Sequence, residues 1–584
     1  MKNKSMLFLL LMIQFVFLTS CNSKQDDVKM QKEISFAVAT DIHVFANSLL
    51  NEENIQSYSS TDKMIHLSEP ILHSITDEVV TNGYSFLLLA GDLTERGDMT
   101  SHIATAKILK EVENSGVNVY VINGNHDVMS TNARRDFSVT QSEFMDIYSD
   151  FGYNEADSIL EGTLCYSLPI MNTFRLIALD NISYYIDNNS SVMTDEISEE
   201  KCDWICKQVE KASSEGLIPI LLSHKGFISH WPKIQELLKL EDMPEGYNQL
   251  CSDILLRGSQ IGFVGHSHLN DIKSFGNDDN LYYEVLTGST CYCQANYRSV
   301  TLRNDILSVR TSTLNKVNLD YISPVVEQCI INEIESDFEL YAYKLFSSQI
   351  SSTIKGKFRQ LFSKLKIDNS KVNSFFTNDL IDRLFSMSLY GDDEFSIQII
   401  VSAYGISLPT SDYKTVSDVF SGVVGNLIRG NENMSLTNET TFLKYIFYSL
   451  IYVINQNSDL ISSFTEDAIH INIDMEKMFQ TGQIECYESN LIPAIISILS
   501  QSKNTTIKTA IYALQTNFRS IELVSDALSG LSDGTITDIE RYFTLKEIWI
   551  DKLIEEGFFN NYISDLITDK APNDREIDIV IKKE

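Results

Sequence analysis

Residues 34–43 read ISFAVATDIH, a β-rich run that ends in an aspartate and a histidine. In a strand over Ile34–Thr40, side chains alternate between the two faces, so Asp41 and His43 lie on one side just beyond its end. A carboxylate and an imidazole in that arrangement can share one cation. This stretch therefore predicts both a strand of the sheet and metal chemistry at the edge where the strand ends.

The same pattern recurs after four further β-rich runs. In chain order, the polar groups are Gly91-Asp92, Gly124-Asn125-His126-Asp127, His224 and Gly265-His266-Ser267-His268. A single Asp-x-His or His-x-His is more often incidental surface than a metal site, and Gly-Asp is a common turn. Their joint occurrence in this order is not expected by chance. The sequence predicts that five strand ends deliver oxygen and nitrogen ligands to one edge of a sheet.

Residues 34 to about 314 alternate β-rich runs with helical stretches, the rhythm of a layered α/β domain. The predicted strands are 34–40, 84–90, 117–122, 175–179, 217–223, 260–264 and 281–286, with a closing hairpin at 299–303 and 306–311. The predicted helices between them are near 63–81, 101–114 and 197–213. We therefore expect a domain at 33–314.

Beyond about Pro324 the apolar residues recur at helical spacing. The predicted helices are 331–349, 378–389, 416–428, 441–454, 491–499 and 537–555. Nine of the ten histidines lie at or before His268, so metal or acid-base chemistry is expected in the first half. We expect residues 325–584 to form a separate all-α domain of unknown role.

The chain has 584 residues and a formal net charge of −34, with 80 acidic and 46 basic residues. This balance argues against broad binding to nucleic acid or to anionic membranes, because both attract basic surfaces. A phosphate-bearing substrate must then be held locally by cations. We expect no nucleic-acid-binding surface.

The amino terminus has the features of a targeting segment. Lys2 and Lys4 precede the apolar run Met6–Leu18, which is too short for a comfortable membrane span. Leu18-Thr19-Ser20-Cys21 resembles the bacterial lipobox, in which the cysteine becomes the lipid-modified first residue. We predict a lipoprotein signal peptide at 1–20, a lipid on Cys21 and a tether at 21–32. An ordinary signal peptide is the alternative.

The ordered motifs from Asp41 to His268 resemble the calcineurin-like metallophosphoesterases, and within them most of all the bacterial cyclic-nucleotide phosphodiesterase type. The resemblance covers about residues 33–314 and implies a layered β-sandwich flanked by helices, with a two-metal phosphoesterase site. By resemblance, Asp41, His43, Asp92 and His268 hold the first metal, and Asp92 bridges to a second completed by Asn125, His224 and His266. The metals would be Mn, Fe or Zn. His126 would not ligate but would act on the phosphate or the leaving group.

Two details of the motifs bear on catalysis and substrate. Gly91–Gly97 also resembles the Gly-Asp-x-x-Asp-Arg-Gly run of the protein phosphatase branch, where the second acid orients the catalytic histidine and the arginine contacts phosphate. We therefore name Glu95 as a catalytic candidate and Arg96 as a substrate-binding candidate, with plain turn residues as the alternative. The family's His-His-Pro is His224-Lys225-Gly226 here, which weakens the transfer of a nucleotide substrate.

These observations predict an exported, lipid-anchored, metal-dependent phosphoesterase that uses metal-activated water and prefers phosphodiesters. It would lie on the periplasmic or cell-surface side of a bacterial membrane, bound through its lipid alone. A phosphomonoesterase is one alternative. Another is a surface binding lipoprotein whose helical domain engages a protein partner.

Overall fold

A computed structural model describes most of residues 33–456, together with residues 574–582. Within 33–456 it leaves out 60, 131–136, 187–196, 231–246, 278–279, 365–379, 392–395 and 431–436, and between 457 and 573 it describes Glu476 and Gln480 alone. The predicted signal peptide, Cys21, the tether and the helices predicted at 491–499 and 537–555 lie outside the described residues.

The strands form two sheets. They are β1 (Ile34–Ala39), β2 (Phe86–Ala90), β3 (Asn118–Ile122), β4 (Ser158–Ile159), β5 (Tyr166–Ile170), β6 (Phe174–Leu179), β7 (Ile218–Ser223), β8 (Ile261–Val264), β9 (Asp271–Asn277), β10 (Asn280–Leu286), β11 (Asn296–Arg303), β12 (Ile306–Thr313) and β13 (Glu576–Val580). The first sheet has the order β13-β12-β11-β1-β2-β3, and the second β4-β5-β6-β7-β8-β10-β9. The neighbours β1, β2 and β3 are parallel, as are β6, β7 and β8.

The two sheets pack face to face through aromatic side chains. The ring of Phe36 on β1 stacks on that of Phe86 on β2, with centroids 4.4 Å apart. Both rings meet Phe174 of the second sheet edge to face, and Phe36 also meets Phe263. Every residue of β2, FLLLA, is buried because the sheet is covered on both faces. These contacts place the main core between the sheets.

Helices cover the outer faces of the sheets. They are α1 (Ile55–Tyr58), α2 (Ser68–Thr81), α3 (Met99–Asn114), α4 (Gln141–Ile147), α5 (Glu199–Glu215) and α6 (Tyr247–Leu255). Helix α5 shows how local sequence sets their ends. The Ser198 side chain accepts a hydrogen bond from the amide of Lys201, and Gly216 ends the helix in the left-handed conformation (φ 68°).

A helical region, residues 328–456, follows β12. Its helices are α7 (Gln328–Ser336), α8 (Phe338–Lys364), α9 (Leu380–Ser386), α10 (Ile397–Ser402), α11 (Val416–Arg429) and α12 (Thr437–Gln456). Among the described residues, no helix is long and apolar enough to cross a membrane. The predicted fold class, two layered sheets flanked by helices with a helical region after them, is confirmed.

Most predicted strands agree with the structure to within three residues at each end. The sequence missed β4, β5, β9 and β13 because these are short, carry polar residues or lie far from their partners. It also gave 331–349 as one helix, where α7 and α8 are separated at Asp337, whose backbone is extended (φ −164°).

The last strand corrects the predicted domain boundary. We expected residues 325–584 to form one all-α domain, but β13 pairs antiparallel with β12, with Ile306 opposite Val580. Arg298 of β11 also donates a hydrogen bond to the carbonyl oxygen of Asp574 at 2.8 Å. The end of the chain therefore belongs to the first sheet, and the helical region lies in sequence between two strands of that sheet. A pairing across more than 260 residues leaves no local pattern to detect.

The helical region packs against the α/β part through a small apolar cluster. We call it the junction cluster, and it consists of Tyr292, Cys293, Phe346, Ile350 and Ile428. A hydrogen bond from the amide side chain of Asn270 to the carbonyl oxygen of Ile428, 2.8 Å long, reinforces the contact. Helices α8 and α11 thus lie directly against the loop that precedes β11.

Candidate metal centre

The seven side chains predicted to bind metal lie beyond the carboxyl ends of five strands. We call this surface the ligand edge, and it consists of Asp41, His43, Asp92 and Asn125 from the first sheet and His224, His266 and His268 from the second. His224 Nδ1 donates a hydrogen bond to the carbonyl oxygen of Ala90 at 2.8 Å, which joins the end of β7 to the end of β2. The two sheets therefore contribute to a single site.

The backbone at this edge adopts a conformation that side chains other than glycine rarely take. Five ligand residues have positive φ: Asp41 (51°), His43 (50°), Asp92 (47°), His266 (73°) and His268 (61°). Such positions cost on the order of 1–3 kcal/mol each and persist where surrounding contacts fix them. Here the Asp41 amide donates to the carbonyl oxygen of Gly91 at 3.0 Å, and the His43 amide donates to that of Asp92 at 2.9 Å.

Two motif glycines allow the loops to approach closely. A Cβ atom at Gly124 would lie 2.2 Å from the backbone nitrogen of Asp92, and one at Gly265 would lie 2.4 Å from Asp41 Oδ2. Neither position can accept a larger residue unless a metal-binding loop moves. The glycines in these motifs are thus required by packing rather than by turn formation alone.

The donor atoms form two overlapping groups. In the first, His268 Nε2 lies 3.2 Å from Asp41 Oδ1 and 3.2 Å from His43 Nε2. In the second, His224 Nε2 lies 3.3 Å from Asp92 Oδ2 and 3.0 Å from Asn125 Oδ1. Asp92 Oδ2 is also 3.8 Å from His43 Nε2, so it lies between the groups, as a bridging ligand requires. The His266 ring lies beside that of His224, with centroids 5.1 Å apart.

The residues present fit a pair of cations. Asp41 Oδ1 is buried, and no hydrogen bond to it is found among the described residues. His43 and His268 bring two imidazole nitrogens to 3.2 Å, a separation that two ligands of one cation can have. Asp41, His43 and His268 offer donor atoms within 4.8 Å of one another, as do Asp41, Asp92 and His224. Carboxylate, imidazole and amide donors suit Mn, Fe or Zn.

The electrostatics of the pocket agree with this fit. Burial opposes ionisation of Asp41, yet the imidazoles of His268 and His224 hold the pKa of its carboxyl well below the usual range. Burial, and then the ammonium of Lys63, lower the pKa of His43 to about 4, so its ring is neutral at pH 7. Asp92 and Asp41 raise the pKa of His224 to about 9 against its burial, a sign of how strongly the pocket favours positive charge. Ionised Asp41 and neutral His43 are already in the forms that bind metal, whereas His224 must lose its proton when it binds one.

His126 lies beside the metal groups and is oriented by the backbone. Its Nδ1 donates a hydrogen bond to the carbonyl oxygen of Glu95 at 2.7 Å, which leaves Nε2 facing the site, 4.0 Å from Asp92 Oδ2. We expected the Glu95 carboxylate to orient this histidine. The carboxylate instead lies 3.0 Å from His43 Nδ1, and the Glu95 carbonyl oxygen is the group that accepts the hydrogen bond from His126.

The Arg96 side chain packs on two aromatic rings. Its guanidinium lies over the rings of Phe45 and Tyr58, 5.3 and 5.5 Å from their centroids, in a cation–π contact. This contact holds the loop after β1 against α1. A role for Arg96 in binding phosphate stays a prediction.

Asp127 is a supporting residue whose role the sequence did not reveal. Its buried carboxylate accepts hydrogen bonds from the amides of Leu93 (3.0 Å), Thr94 (2.8 Å) and Gly124 (2.8 Å). It therefore ties the loop that carries Asp92 to the loop that carries Asn125 and His126. Its place at the end of the run from Gly124 to Asp127 was the available signal.

The loop after His224 is fixed by side chains that no motif indicated. The side-chain amide of Asn181 makes two hydrogen bonds to the backbone of Lys225. Its Oδ1 accepts from the Lys225 N–H at 3.2 Å, and its Nδ2 donates to the Lys225 carbonyl oxygen at 2.7 Å. The Glu284 carboxylate accepts from the amides of Phe227 (2.7 Å) and Ile228 (3.1 Å). Both hold the backbone that presents His224.

Comparison with protein families agrees with this geometry. Residues 34–270 match the family model described as calcineurin-like phosphoesterase. The chain contains a calcineurin-like phosphoesterase domain. The domain is that of a metal-dependent phosphoester hydrolase, a class that uses two divalent or trivalent metals, and the ligand edge lies within the matched residues.

Solved structures with a similar fold are distant in sequence. A dimetal phosphatase from Danio rerio is 14% identical over 48% of this chain and 98% of its own, with a TM-score of 0.35. A purple acid phosphatase from yellow lupin (Lupinus luteus) seeds is 12% identical over 48% of this chain and 52% of its own, with a TM-score of 0.33. A search of curated proteins found no match. The functional argument therefore depends on the family match and the ligand edge.

Proposed function

We propose that the protein is an exported, lipid-anchored phosphoesterase that prefers phosphodiesters. The convergence of two groups of metal donors at the ligand edge, with His126 beside them, supports hydrolysis of a phosphate ester. Asp41, His43, Asp92 and His268 would hold one metal, and Asp92, Asn125, His224 and His266 the other. Bound there, the two metals supply positive charge to the phosphate group and lower the pKa of the attacking water.

The protein's own side chains position the substrate and handle the leaving group. His126 Nε2 faces the site because Nδ1 donates a hydrogen bond to the Glu95 carbonyl oxygen. In its imidazolium form the ring can give a proton from Nε2 to the departing ester oxygen. Its side chain is 19% exposed, so substrate can reach it.

The preference for phosphodiesters is supported by the order of the motifs, which resembles the cyclic-nucleotide phosphodiesterase type. The departure at His224-Lys225-Gly226 lies in the loop held by Asn181 and Glu284, so this loop is where substrate choice would differ from that type. A phosphomonoesterase remains the alternative activity.

A direct assay separates these activities. The full chain in detergent, loaded in turn with Mn, Fe and Zn, is incubated with bis-p-nitrophenyl phosphate and with p-nitrophenyl phosphate. The control is the double variant Asp92→Asn, His266→Ala. We expect faster release from the diester by the wild type. Release from the monoester alone would overturn the diester preference. Background rates that are equal in the wild type and the double variant would overturn the proposal that the protein hydrolyses phosphate esters.

Export and anchoring through Cys21 are supported by the sequence from Lys2 to Cys21. We expect a bacterium that expresses the chain to attach an alkyne-labelled fatty acid to it, and the variant Cys21→Ala to remain unlabelled. Protease digestion of intact cells and of spheroplasts would then separate a cell-surface from a periplasmic location. Equal labelling of the wild type and the Cys21→Ala variant would contradict lipid attachment at Cys21.

The alternative of a surface binding protein whose helical region engages a protein partner predicts a different result. Such a protein would show the background rates described above with every metal, although the ligand edge is complete.

A further inference from the structure

A lysine that belongs to no motif lies against the ligand edge. Lys63 comes between α1 and α2, and its Nζ is 3.3 Å from His43 Nε2 and 3.6 Å from Glu95 Oε2. Its side chain is only 20% exposed. The lysine therefore directs its charge into the site rather than into solvent.

The backbone around Lys63 is held in place from both sides. The Thr61 hydroxyl donates to the Lys63 carbonyl oxygen at 2.8 Å, and the Met64 amide donates to that of Cys291 at 2.7 Å. The neighbouring Asp62 carboxylate accepts a hydrogen bond from the Tyr292 hydroxyl at 2.8 Å. The ammonium group is thus presented by a fixed loop, which lowers the entropic cost of using it for binding.

The Tyr292 ring also relates this loop to a metal ligand and to the helical region. Its centroid lies 5.5 Å from that of His268 and 5.5 Å from that of Phe346 on α8. The position of Lys63 is therefore set by the same contacts that join the helical region to the site.

The charges around Lys63 call for an anion. The site is built to hold two cations, and the lysine adds a third positive group beside the Nε2 atom of His43. Glu95 offers one compensating carboxylate, but that carboxylate also lies 3.0 Å from His43 Nδ1. An anionic group bound between the metals and Lys63 would offset the remaining repulsion. A non-bridging oxygen of a phosphate group has the charge and the acceptor lone pairs to do so.

We infer that Lys63 is a substrate-binding residue that donates a hydrogen bond to a non-bridging oxygen of the phosphate group. This role rests on the proposed function, because it requires a phosphate ester at the ligand edge. It is shared by diesters and monoesters, since both carry non-bridging oxygens. A role confined to an ion pair with Glu95 is the competing explanation.

The test uses the full chain and three variants: Lys63→Met, Lys63→Arg and, as a matched control, Lys316→Met at an exposed lysine outside the site. Binding of inorganic phosphate to the metal-loaded protein is measured by calorimetry, metal content by elemental analysis, and KM with both p-nitrophenyl esters. We expect Lys63→Met to weaken phosphate binding and to raise KM by about ten-fold or more with metal content unchanged, since hydrogen bonds to charged groups are strong. Lys63→Arg should retain part of the binding, and Lys316→Met all of it.

Phosphate binding by Lys63→Met within two-fold of the wild type would overturn the inference, and so would a wild type that binds no phosphate. Loss of metal from Lys63→Met would also overturn it, because the lysine would then support the ligands. A wild type that hydrolyses neither ester but binds phosphate through Lys63 would contradict the proposed function alone.

Discussion

The ligand edge contacts the loop at residues 289–294, and the junction cluster includes Tyr292 and Cys293 of that loop, but different forces stabilise the two regions. At the ligand edge, charged and polar groups such as Asp41 and His43 are fully buried and are held by directional hydrogen bonds on strained backbone. At the junction cluster, the rings of Tyr292 and Phe346 and the aliphatic chain of Ile350 pack by shape.

The two regions tolerate different substitutions. Exchange of one donor atom at the ligand edge removes a metal ligand even if the side-chain volume is kept. At the junction cluster, volume and apolar character decide stability, and the chemistry is affected only through the position of the loop. Substitutions should therefore separate activity from stability between the two regions.

The largest effect is expected for Asp92→Asn. The change keeps the volume but removes the carboxylate oxygen that lies between the two donor groups. We expect kcat/KM to fall by about a thousand-fold or more, because loss of a metal costs several kcal/mol in the transition state. The measurement is hydrolysis of a p-nitrophenyl ester together with metal content and thermal unfolding. Full activity in this variant would show that the ligand edge tolerates the loss of a donor atom.

Phe346→Ala should act in the opposite way. The ring is fully buried in the junction cluster, so its removal is expected to lower the free energy of unfolding by about 3–5 kcal/mol. We expect kcat/KM to change much less than in Asp92→Asn. The matched control is Leu340→Ala on the same helix, where the side chain is 46% exposed and the expected loss is about 0.5 kcal/mol or less. Equal unfolding of the two variants would show that the junction cluster does not stabilise the protein.

Glu95→Gln tests whether the carboxylate beside His43 Nδ1 strengthens metal binding at the ligand edge. The substitution keeps the backbone carbonyl group that accepts from His126, but it removes the charge beside His43 Nδ1. Carboxylates that orient a metal-binding histidine typically contribute 10- to 100-fold in metal affinity. We expect a loss of about that size in a chelator competition assay, and no loss for Glu333→Gln on the exposed surface of α7. An unchanged metal affinity would show that Glu95 interacts functionally with Lys63 and does not support His43.

His230→Gln should lower stability by an amount that depends on pH. The buried imidazole lies 2.5 Å from Asp271 and 3.1 Å from Glu284, and these carboxylates raise its pKa to about 9 against its burial. The Lys273 ammonium donates a hydrogen bond to the His230 carbonyl oxygen. Because the pKa is raised above the unfolded value of 6.5, the stabilisation is complete below pH 6.5 and is lost as pH rises through about 9.

We therefore expect the wild type to exceed His230→Gln in unfolding free energy at pH 6, by about 1–3 kcal/mol, and the difference to shrink towards pH 10. Urea denaturation at each pH measures this difference, and groups that titrate equally in both proteins cancel. A constant difference across this range would show that the imidazole is not charged in the folded protein.

The α/β part and the place of the metal chemistry could be predicted from local sequence. Each ligand lies within four residues of the end of a buried apolar strand, so strand and ligand appear together in one short stretch, as in ISFAVATDIH. Parallel strands then bring their carboxyl ends to the same edge. Local pattern and simple geometry sufficed for these features.

The support of the site and the position of β13 depend on tertiary contacts. The Glu95 carboxylate lies beside His43 while its backbone carbonyl group accepts the hydrogen bond from His126, and Lys63 reaches the site from a segment without a motif. Strand β13 returns to the first sheet across the whole helical region. Each of these features depends on contacts between residues far apart in the chain or on the direction of one side chain. A local sequence pattern predicts neither long-range contacts nor the direction of a single side chain.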